Sequence, residues 1–481
     1  MTIRSFVGRR RELAELKGIL GRVQLGHDRP GQAVLMLGRR RVGKSRLVQE
    51  FLDSLDIPTF FFSADRAPSD EAILLFAAEG ARSNLPGAAL FAEQAPTTWD
   101  GAFRLLAAAL PRDKSAVFVI DELPYLMDDQ MIFEGALQRA WDRELSKLPV
   151  LFIGIGSSIS MMERINSHDR PFHQRATIMR VDALNPADLA EMLNLEAVDA
   201  FDAYLVTGGM PLLAADWQLG ALLSDYFRDS LTRSTSPLVV SAQLSLAAEL
   251  DSDGATRTIS SAIGQGQKEY SKIISAVGGD FAPATIDRRL TDLIEIGAVA
   301  KELPLSCKAA TRVARYYISD PYLRFWFRFI EPYLGLIDRG RGADVAGIVN
   351  KAWTQWRGRA IEPIVREAIL RMSPETLGIS GMHQNVGSWW TRTNSAEVDI
   401  VIADRPKPPA NQILGIGSIK WTSSPFDNHK LTELERAAIQ VPGFNPTSTT
   451  LLAVSQAGFT AGLPKTVRRF TPDDLLAGWQ Q

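Results

Sequence analysis

Residues 34–45 read VLMLGRRRVGKS, and the rest of the chain is organised around this stretch. Its first four residues are apolar, which is typical of a buried strand, and residues 38–45 have the spacing G-x-x-x-x-G-K-S. In such a loop, glycines let backbone N–H groups face a phosphate chain at the start of a helix. Apolar residues at helical spacing over residues 45–55 predict that helix. The stretch therefore predicts a phosphate-binding loop.

Each position of this loop has an expected role. Lys44 would reach the β- and γ-phosphates of ATP, and the hydroxyl of Ser45 would bind Mg²⁺. The predicted nucleotide-binding residues of the loop are Gly38, Arg39, Arg40, Arg41, Val42, Gly43, Lys44, Ser45 and Arg46. We therefore expect ATP and Mg²⁺ as ligands.

Length and composition set limits on the other functions. A chain of 481 residues has room for two to four domains with separate cores. Lys and Arg number 53 and Asp and Glu number 55, so the net charge of -2 leaves only local nucleic-acid contacts open.

The single cysteine, Cys307, excludes an intramolecular disulfide. Cys307 lies in a polar connector without a nearby histidine, which favours an ordinary thiol over a nucleophile.

The N-terminus carries no targeting pattern. Residues 1–13 read MTIRSFVGRRREL, with arginines but without the apolar core of a signal peptide. No later stretch is a long uninterrupted apolar run. We therefore expect a cytoplasmic protein without a membrane partner.

A second apolar stretch ends in two acids. Residues 116–120 read AVFVI and lead directly into Asp121 and Glu122. Parallel strands present such carboxylates to the phosphate crevice at their C-terminal ends. Asp121 is expected to hold the Mg²⁺ shell, and Glu122 to orient and deprotonate the attacking water.

A third apolar stretch, residues 150–156, ends at two serines. Ser157 is our candidate for a sensor of the γ-phosphate, on a strand that lies between the other two in space. The alternative is that Ser157 caps the helix predicted over residues 159–165, a role that Ser158 would serve equally well.

A loop arginine is the remaining candidate for catalysis. Residues 171–177 read PFHQRAT and contain Arg175, with Arg170 just before them. Arg175 would supply positive charge to the transition state, in cis or from a neighbouring subunit. A solvated surface arginine is the alternative.

Glycines and a proline interrupt the helices that follow. A helix is predicted over residues 185–195, and residues 204–211, YLVTGGMP, break the next one. We interpret the helical stretch to about residue 240 as a lid over the nucleotide, with Pro211 approaching the base. A plain helix–turn–helix connector is the alternative.

Five motifs together resemble a known family. FVGRRREL at residues 6–13, GRRRVGKS, VIDELPYL, GIGSS and TGGMP resemble the archaeal-type ATPases of the STAND/AAA+ branch of P-loop NTPases. The resemblance covers about the first half of the chain and implies an α/β fold with a parallel sheet and a helical lid. It also implies that Val7 and Gly8 close the pocket over adenine, and it is compatible with a homo-oligomer. The alternative for residues 6–13 is a helix that merely packs on the sheet.

The pattern changes after about residue 259. A helix, a turn, a second helix over residues 285–296, Gly297 and a short strand at 298–300 describe a winged helix. Arg288 and Arg289 of the second helix would meet the phosphates of double-stranded DNA. The same helix carries three acids, Asp287, Asp292 and Glu295. DNA docking and protein packing therefore both stay open.

The last part of the chain shows a second resemblance. Residues 320–329, DPYLRFWFRF, resemble the start of a C-terminal PD-(D/E)XK nuclease-like domain of the same ATPases. This implies that Glu362, in a helix predicted over residues 358–370, is the leading acid of the nuclease motif and that Asp399 is a metal ligand. Ser418 stands where the motif has an acid, two residues before Lys420. Because a hydroxyl cannot replace that charge, we expect an inactive or strongly impaired nuclease. Rescue by Glu397 or Glu433 is the alternative.

These patterns predict four domains: an ATPase core over residues 1–182, a helical lid over 183–245, a winged helix over 246–318 and a nuclease-like domain over 319–481. The predicted function is Mg-dependent ATP hydrolysis coupled to conformational change or to binding of DNA or a partner. A nucleotide-gated switch with little turnover and a DNA-processing protein with an active nuclease are the alternatives. The sequence does not indicate what the ATP cycle acts on.

Overall fold

The structure is a computed structural model that describes residues 6–24, 30–127, 131–165, 167–168, 170–249, 254–279, 281–309 and 313–480. The expectation about a signal peptide rests partly on residues 1–5, which lie outside the described residues. The chain divides into two compact units, Met1–Leu184 and Asn185–Gln481. Among the described helices, none combines the length and the apolar character needed to cross a bilayer.

The first unit is a parallel sheet flanked by helices. Its strands are β1 Gln32–Leu37, β2 Thr59–Ser63, β3 Ala116–Asp121, β4 Val150–Gly156 and β5 Thr177–Arg180. Its helices are α1 Arg10–Gln24, α2 Lys44–Asp53, α3 Ser69–Arg82, α4 Ala89–Glu93, α5 Trp99–Ala109, α6 Ile132–Arg143 and α7 Ile159–Ile165. The strand order is β2-β3-β4-β1-β5, and every neighbouring pair is parallel.

Burial on both faces explains why β1, β3 and β4 are continuous apolar runs in the sequence. All residues of β3 and β4 are buried, and Phe118 stacks on Phe152 with ring centroids 4.5 Å apart. A second aromatic group joins β2 to the helices, with the ring of Phe76 4.8 Å from that of Phe60 and 5.8 Å from that of Phe103. The predicted position of β4 between β1 and β3 is confirmed, so the C-terminal ends of these strands meet at one edge.

The second unit contains the remaining elements. Its helices are α8 Pro186–Leu193, α9 Ala197–Thr207, α10 Pro211–Ala215, α11 Leu223–Leu231, α12 Pro237–Glu249, α13 Gly254–Gly264, α14 Tyr270–Val277, α15 Pro283–Glu295, α16 Pro321–Phe329, α17 Leu334–Ile337, α18 Gly342–Ala360, α19 Glu362–Arg371, α20 Pro374–Leu377, α21 Asn428–Ala438 and α22 Pro472–Ala477. Its strands are β6 Val299–Glu302, β7 Arg315–Ile318, β8 Asn385–Trp390, β9 Glu397–Ala403, β10 Ile413–Lys420, β11 Thr450–Ser455 and β12 Arg468–Phe470.

Two sheets form in this unit. Strands β6 and β7 are a two-stranded antiparallel ribbon after α13, α14 and α15, which is the element order expected for a winged helix. The other sheet has the order β12-β11-β10-β9-β8, antiparallel from β8 to β10 and parallel from β10 to β12.

The prediction of one continuous helix over residues 358–370 is wrong, because α18 ends at Ala360 and α19 begins at Glu362. Pro363 lacks an N–H and would clash with the preceding turn of a continuous helix.

The helices interpreted as a lid pack inside the second unit. Helix α9 contacts α16 and α22, and α11 contacts α18. Phe201 of α9 lies edge-on to Trp421 at 5.4 Å, and Phe227 of α11 stacks on Phe325 of α16 at 5.5 Å. These helices therefore share a core with the C-terminal sheet, while the predicted boundary of a separate lid domain stays a prediction.

Candidate nucleotide-binding site

The phosphate-binding loop joins β1 to α2 at the C-terminal edge of the first sheet. Helix α2 begins at Lys44, one residue before the predicted start. Gly43, just before it, has φ 93°, a left-handed conformation that favours glycine. The ammonium of Lys44 donates hydrogen bonds to the carbonyl oxygens of Gly38 at 2.7 Å and Arg39 at 2.9 Å. The ammonium of Lys44 and the first turn of α2 therefore both lie at the loop.

Gly38 has a requirement of its own. A Cβ at this position would lie 2.2 Å from the carbonyl oxygen of Val181. Val181 cannot move away freely, because its N–H donates to the carbonyl of Leu37 at 2.8 Å, just beyond the pairing of β1 with β5. The first glycine of the loop is thus required for a close approach of two backbones.

Gly38→Ala is expected to displace the loop and weaken ATP binding at least about tenfold, because the added methyl group overlaps a backbone oxygen. Titration calorimetry with a slowly hydrolysed ATP analogue measures the effect. Gly21→Ala is the matched control, since a Cβ on Gly21 in α1 meets nothing within 4 Å. Equal affinity of the two variants for the analogue would contradict this role of Gly38.

Arg9 contacts the loop, which the sequence did not indicate. Its guanidinium donates to the carbonyl oxygen of Val42 at 2.8 Å and pairs with Glu12 at 2.9 Å. The Arg9 side chain is only 6 % exposed, and Gly8 just before it has φ 74°. The segment that includes the predicted residues Val7 and Gly8 is therefore attached to the phosphate-binding loop. No local pattern distinguishes Arg9 from its arginine neighbours, so only the contact identifies it.

Asp121 ends β3 beside the start of α2. Its carboxylate accepts a hydrogen bond from the hydroxyl of Ser45 and one from the backbone N–H of Glu122, the latter at 2.9 Å. Burial raises the pKa of Asp121, and these hydrogen bonds and the charge of Lys44 only partly oppose that effect. A cation at this position would favour the ionised carboxylate.

The two oxygen-bearing side chains fit a magnesium ion. Mg²⁺ is bound in proteins by one or two side-chain oxygens, with substrate phosphates and water completing the shell. Ser45 and Asp121 offer a hydroxyl and a carboxylate that touch each other. No group of three or more His, Cys, Asp or Glu side chains among the described residues is arranged to hold a metal ion. A magnesium site that uses phosphate oxygens needs no such group.

Glu122 is held in an unusual backbone conformation next to β4. Its φ and ψ are 51° and 42°, which costs a non-glycine residue about 1 kcal/mol. Its carboxylate accepts a hydrogen bond from the hydroxyl of Ser157 at 3.0 Å. Because β4 lies between β1 and β3, Ser157 at the end of β4 reaches Glu122 at the end of β3. The structure therefore brings together the predicted base and the predicted sensor.

Arg40 connects the loop to this pair. Its guanidinium donates to the hydroxyl of Tyr125 at 2.6 Å and to that of Ser157 at 3.4 Å. The guanidinium of Arg66 lies 5.1 Å from the centre of the Tyr125 ring, within the range of a cation–π contact. The positive charge of the loop thus lies near Glu122, a placement that the glycine-rich pattern does not reveal.

Comparison with known proteins agrees with this geometry. Residues 6–214 match the family described as an ATPase domain predominantly from Archaea. This part of the chain is therefore similar to an archaeal ATPase domain. Residues 326–434, in the second unit, match a family described as archaea bacterial proteins of unknown function.

Longer similarities extend beyond the ATPase domain. An uncharacterized protein of Methanocaldococcus jannaschii is 25% identical over 379 residues, which are 76% of this chain and 79% of that protein. The Walker-type ATPase of Pyrococcus abyssi aligns with a TM-score of 0.48 and 17% identity, over 67% of this chain and 96% of that one. The Aeropyrum pernix ORC2 protein, in its ADPNP-ADP complexes, aligns with a TM-score of 0.43 and 11% identity, over 70% and 95% of the two chains.

Arg175 and Arg170, the two arginines of the predicted catalytic loop, form ion pairs with other side chains of the first unit. Arg175 makes a two-pronged ion pair with Asp142 at 2.9 and 2.8 Å and donates to two loop carbonyls at 2.9 Å. The hydrogen bond to Asp142 raises the pKa of the Arg175 guanidinium. Arg170 is buried and pairs with Glu134 at 2.5 Å. The predicted contribution of Arg175 to the transition state requires release of these contacts and stays a prediction.

Pro211 belongs to the second unit, in the first turn of α10. Gly208 and Gly209 before it have φ 59° and 70° and end α9. A Cβ on Gly208 would lie 3.0 Å from the Cβ of Tyr322. The turn between the helices and this close approach account for the glycines, as the connector interpretation implies. The predicted approach of Pro211 to the base stays a prediction.

The predicted nuclease residues lie together in the second unit. The Asp399 carboxylate accepts a hydrogen bond from the Ser418 hydroxyl at 3.0 Å and one from the Ile419 N–H at 2.8 Å. Burial raises the pKa of Asp399, and the charge of Lys420 opposes this. Burial, followed by the charge of Asp399, raises the pKa of Glu362 to about 7.

The two acids considered for rescue are placed differently. Glu397 forms an ion pair with Arg315. Glu433 is exposed on α21, with its carboxylate 3.7 Å from the His429 ring. To take part in a nuclease site, Glu397 would have to release Arg315, and Glu433 would have to release His429.

Proposed function

We propose that the chain binds Mg-ATP and hydrolyses the β–γ bond, and that the cycle drives a conformational change or the binding of a partner. One observation carries the proposal: Asp121, Glu122 and Ser157 lie at the ends of the neighbouring strands β3 and β4, beside the phosphate-binding loop whose helix begins at Lys44. The match of residues 6–214 to an ATPase family supports it.

Each residue of the site has a role in this proposal. The backbone N–H groups of the loop and the ammonium of Lys44 bind the phosphates and stabilise the charge that develops on them. Ser45 and Asp121 would hold Mg²⁺, which when bound neutralises phosphate charge. Glu122 orients the attacking water and accepts its proton. Ser157 positions the Glu122 carboxylate.

The test compares the wild type with Lys44→Ala in ATP binding and phosphate release, each with and without double-stranded DNA. Wild-type turnover together with loss of binding in Lys44→Ala is the expected result. Stimulation by DNA would identify DNA as the partner. If both proteins bind ATP equally and neither hydrolyses it, the proposal is wrong.

The hydrogen bond from Ser157 to Glu122 also favours a second candidate function, a nucleotide-gated switch with slow turnover. A base that is held by a hydroxyl is less free to accept a proton from water. In that case ATP would change conformation or assembly, including formation of a homo-oligomer, without rapid hydrolysis. Light scattering with and without ATP measures such assembly.

Ser157→Ala separates the two candidates by the sign of its effect. If Ser157 orients Glu122 for catalysis, kcat falls about tenfold with little change in KM, since a hydrogen bond to a charged group contributes about 1.5–3 kcal/mol. If Ser157 restrains Glu122, turnover in the absence of a partner rises. Steady-state kinetics distinguishes these outcomes, and we expect the decrease.

DNA is the proposed partner of the helices before the β6–β7 ribbon. Arg288 of α15 is exposed, whereas Arg289 forms an ion pair with Asp292 at 3.2 Å. Asp287 accepts a hydrogen bond from Tyr270. Arg288 is therefore the stronger candidate of the two arginines for a phosphate contact. Arg288→Gln should lower DNA affinity and its salt dependence, whereas an unchanged affinity would favour protein packing.

For the C-terminal sheet we propose a nuclease-like domain with impaired activity. The Ser418 hydroxyl donates a hydrogen bond to Asp399. At the position of Ser418 the motif would supply a carboxylate for a metal ion. Incubation with DNA and Mg²⁺ or Mn²⁺ is expected to show no cleavage. Metal-dependent cleavage that disappears in Asp399→Ala would show instead that the nuclease is active.

A further inference from the structure

The second unit contains a cavity that the proposed ATPase cycle does not use. Its volume is about 360 Å³, within the range of small-molecule sites. The wall comes from the end of α13 and the segment after it, from β6, β7 and β8, and from α16, α18 and α19. Glu362 lines the cavity, but Asp399, Ser418 and Lys420 are not among its described lining residues. The cavity thus adjoins the nuclease-like motif at Glu362, whose carboxylate interacts with that of Asp399, and none of the other three motif residues lines it.

Its wall is strongly cationic. Six basic side chains line it, namely Lys268, Arg315, Arg324, Arg328, Arg359 and Arg366. The acidic lining residues are Glu302 and Glu362, and Arg366 contacts both, at 3.3 and 3.8 Å. Arg315 pairs with Glu397, outside the lining. Arg366 and Arg315 therefore already neutralise most of the negative charge near the cavity.

The other four basic residues form no ion pair with a carboxylate among the described residues. Arg324 is held by neutral partners, with hydrogen bonds to the carbonyl of Ile318 at 3.1 and 2.9 Å and to that of Ala360 at 3.1 Å. Lys268 is half-buried, and burial lowers its pKa. The charges of Arg359, Arg315 and Arg324 lower the pKa of Lys268 further, while Glu362 opposes them. This mutual repulsion among cations would be relieved by an anion.

Aromatic rings form another part of the wall. Tyr316, Tyr317 and Trp356 all line the cavity. Trp356 is fixed by ring contacts to Phe325 at 5.8 Å and Phe329 at 5.4 Å. Fixed rings beside cations suit a ligand that joins a planar group to an anionic one. Inorganic phosphate would satisfy the charges but would leave most of the volume unfilled.

We propose that this cavity binds a free nucleoside phosphate, with the phosphate at Lys268, Arg328 and Arg359 and the base beside Trp356. A nucleic-acid strand would need its cations along an extended stripe that follows the backbone. Here they converge on one partly open pocket. The chain would thus hold two nucleotide sites, one in each unit.

The experiment uses the full chain with Lys44→Ala, to weaken binding at the phosphate-binding loop. Fluorescent adenine and guanine nucleotides, inorganic phosphate and a single-stranded oligonucleotide are titrated separately. Saturable binding of at least one nucleotide is expected, with weaker binding of phosphate. Arg359→Gln and Lys268→Gln, each added to Lys44→Ala, should weaken nucleotide binding about tenfold or more, because each removes a charge-assisted contact.

Lys351→Gln is the matched control, since Lys351 is exposed on α18, the helix of Arg359, and does not line the cavity. A photoreactive azido-nucleotide locates the site independently of any loss of stability. Labelling of peptides from residues 263–366 supports the proposal, whereas labelling confined to residues 6–214 overturns it. The proposal also fails if Lys351→Gln weakens binding as much as Arg359→Gln, or if only the oligonucleotide binds.

Discussion

ATP turnover is expected to fall about 10²- to 10⁴-fold in Glu122→Gln, with ATP affinity retained. Glutamine keeps the shape and the hydrogen bond from the Ser157 hydroxyl at 3.0 Å, but it cannot accept a proton from water. Lys44 and the loop contacts are untouched, so the nucleotide still binds. Phosphate release under saturating ATP measures kcat, and titration calorimetry measures affinity.

Glu93→Gln is the matched control for this change. Glu93 is exposed at the end of α4, on the same unit, so the charge change is the same but lies away from the site. Its turnover should equal that of the wild type. If Glu122→Gln hydrolyses ATP at the wild-type rate, Glu122 is not the base and another group accepts the proton from water.

The second large effect concerns stability. Arg357→Met is expected to lower the free energy of unfolding of the second unit by about 3–5 kcal/mol at pH 8, as for a broken buried ion pair. Arg357 on α18 donates to Asp202 on α9 at 2.8 Å and to Gln456 after β11 at 2.9 Å. Its loss would leave Asp202, which is 5 % exposed, without its cationic partner. Urea denaturation followed by tryptophan fluorescence measures the change.

The size of this effect depends on pH. Burial raises the pKa of Asp202 from 3.8 to about 6, although Arg357 acts to lower it. A carboxyl whose pKa is higher in the folded than in the unfolded chain favours folding at low pH, and this contribution is lost as the pH rises through about 6. Without Arg357 the pKa would rise further, so the variant should be less destabilised at pH 5 than at pH 8.

Two controls accompany Arg357→Met. The double variant Asp202→Asn with Arg357→Met removes both charges and should recover part of the lost stability at pH 8. Lys351→Gln changes an exposed cationic residue on the same helix and should unfold like the wild type. If Arg357→Met lowers the free energy of unfolding, relative to the wild type, by the same amount at pH 5 and at pH 8, the result would contradict a buried ionised carboxylate.

Local patterns were sufficient for the loop and for strands β1, β3 and β4 of the first unit. A buried parallel strand must be apolar along its length, and a phosphate-binding loop must have glycines and lysine at set spacings. These are properties of a few consecutive residues, so residues 34–45, Asp121 and Glu122 could be recognised without a structure. The break at Ile361 was missed because Pro363 acts on the turn before it, inside an otherwise helical pattern.

Contacts between distant residues could not be recognised in this way. Arg9 reaches Val42 across 33 positions, and Arg40 reaches Ser157 across 117. Nothing in the local sequence distinguishes Arg40 from Arg39, or Arg9 from Arg10. Likewise, no local pattern predicts the ion pair of Arg175 with Asp142, which joins residues 33 positions apart.

The sequence by itself determined that a phosphate-binding loop, an acid pair and a third apolar strand follow one another in this chain, because each depends on neighbouring residues. Only the tertiary structure decided which side chains meet, since the strand order β2-β3-β4-β1-β5 brings Ser157 beside Glu122. The same holds for the cationic cavity of the second unit, whose lining comes from seven segments between Ile263 and Ser388. Charges that are scattered in the sequence become a site only when folding removes the solvent between them.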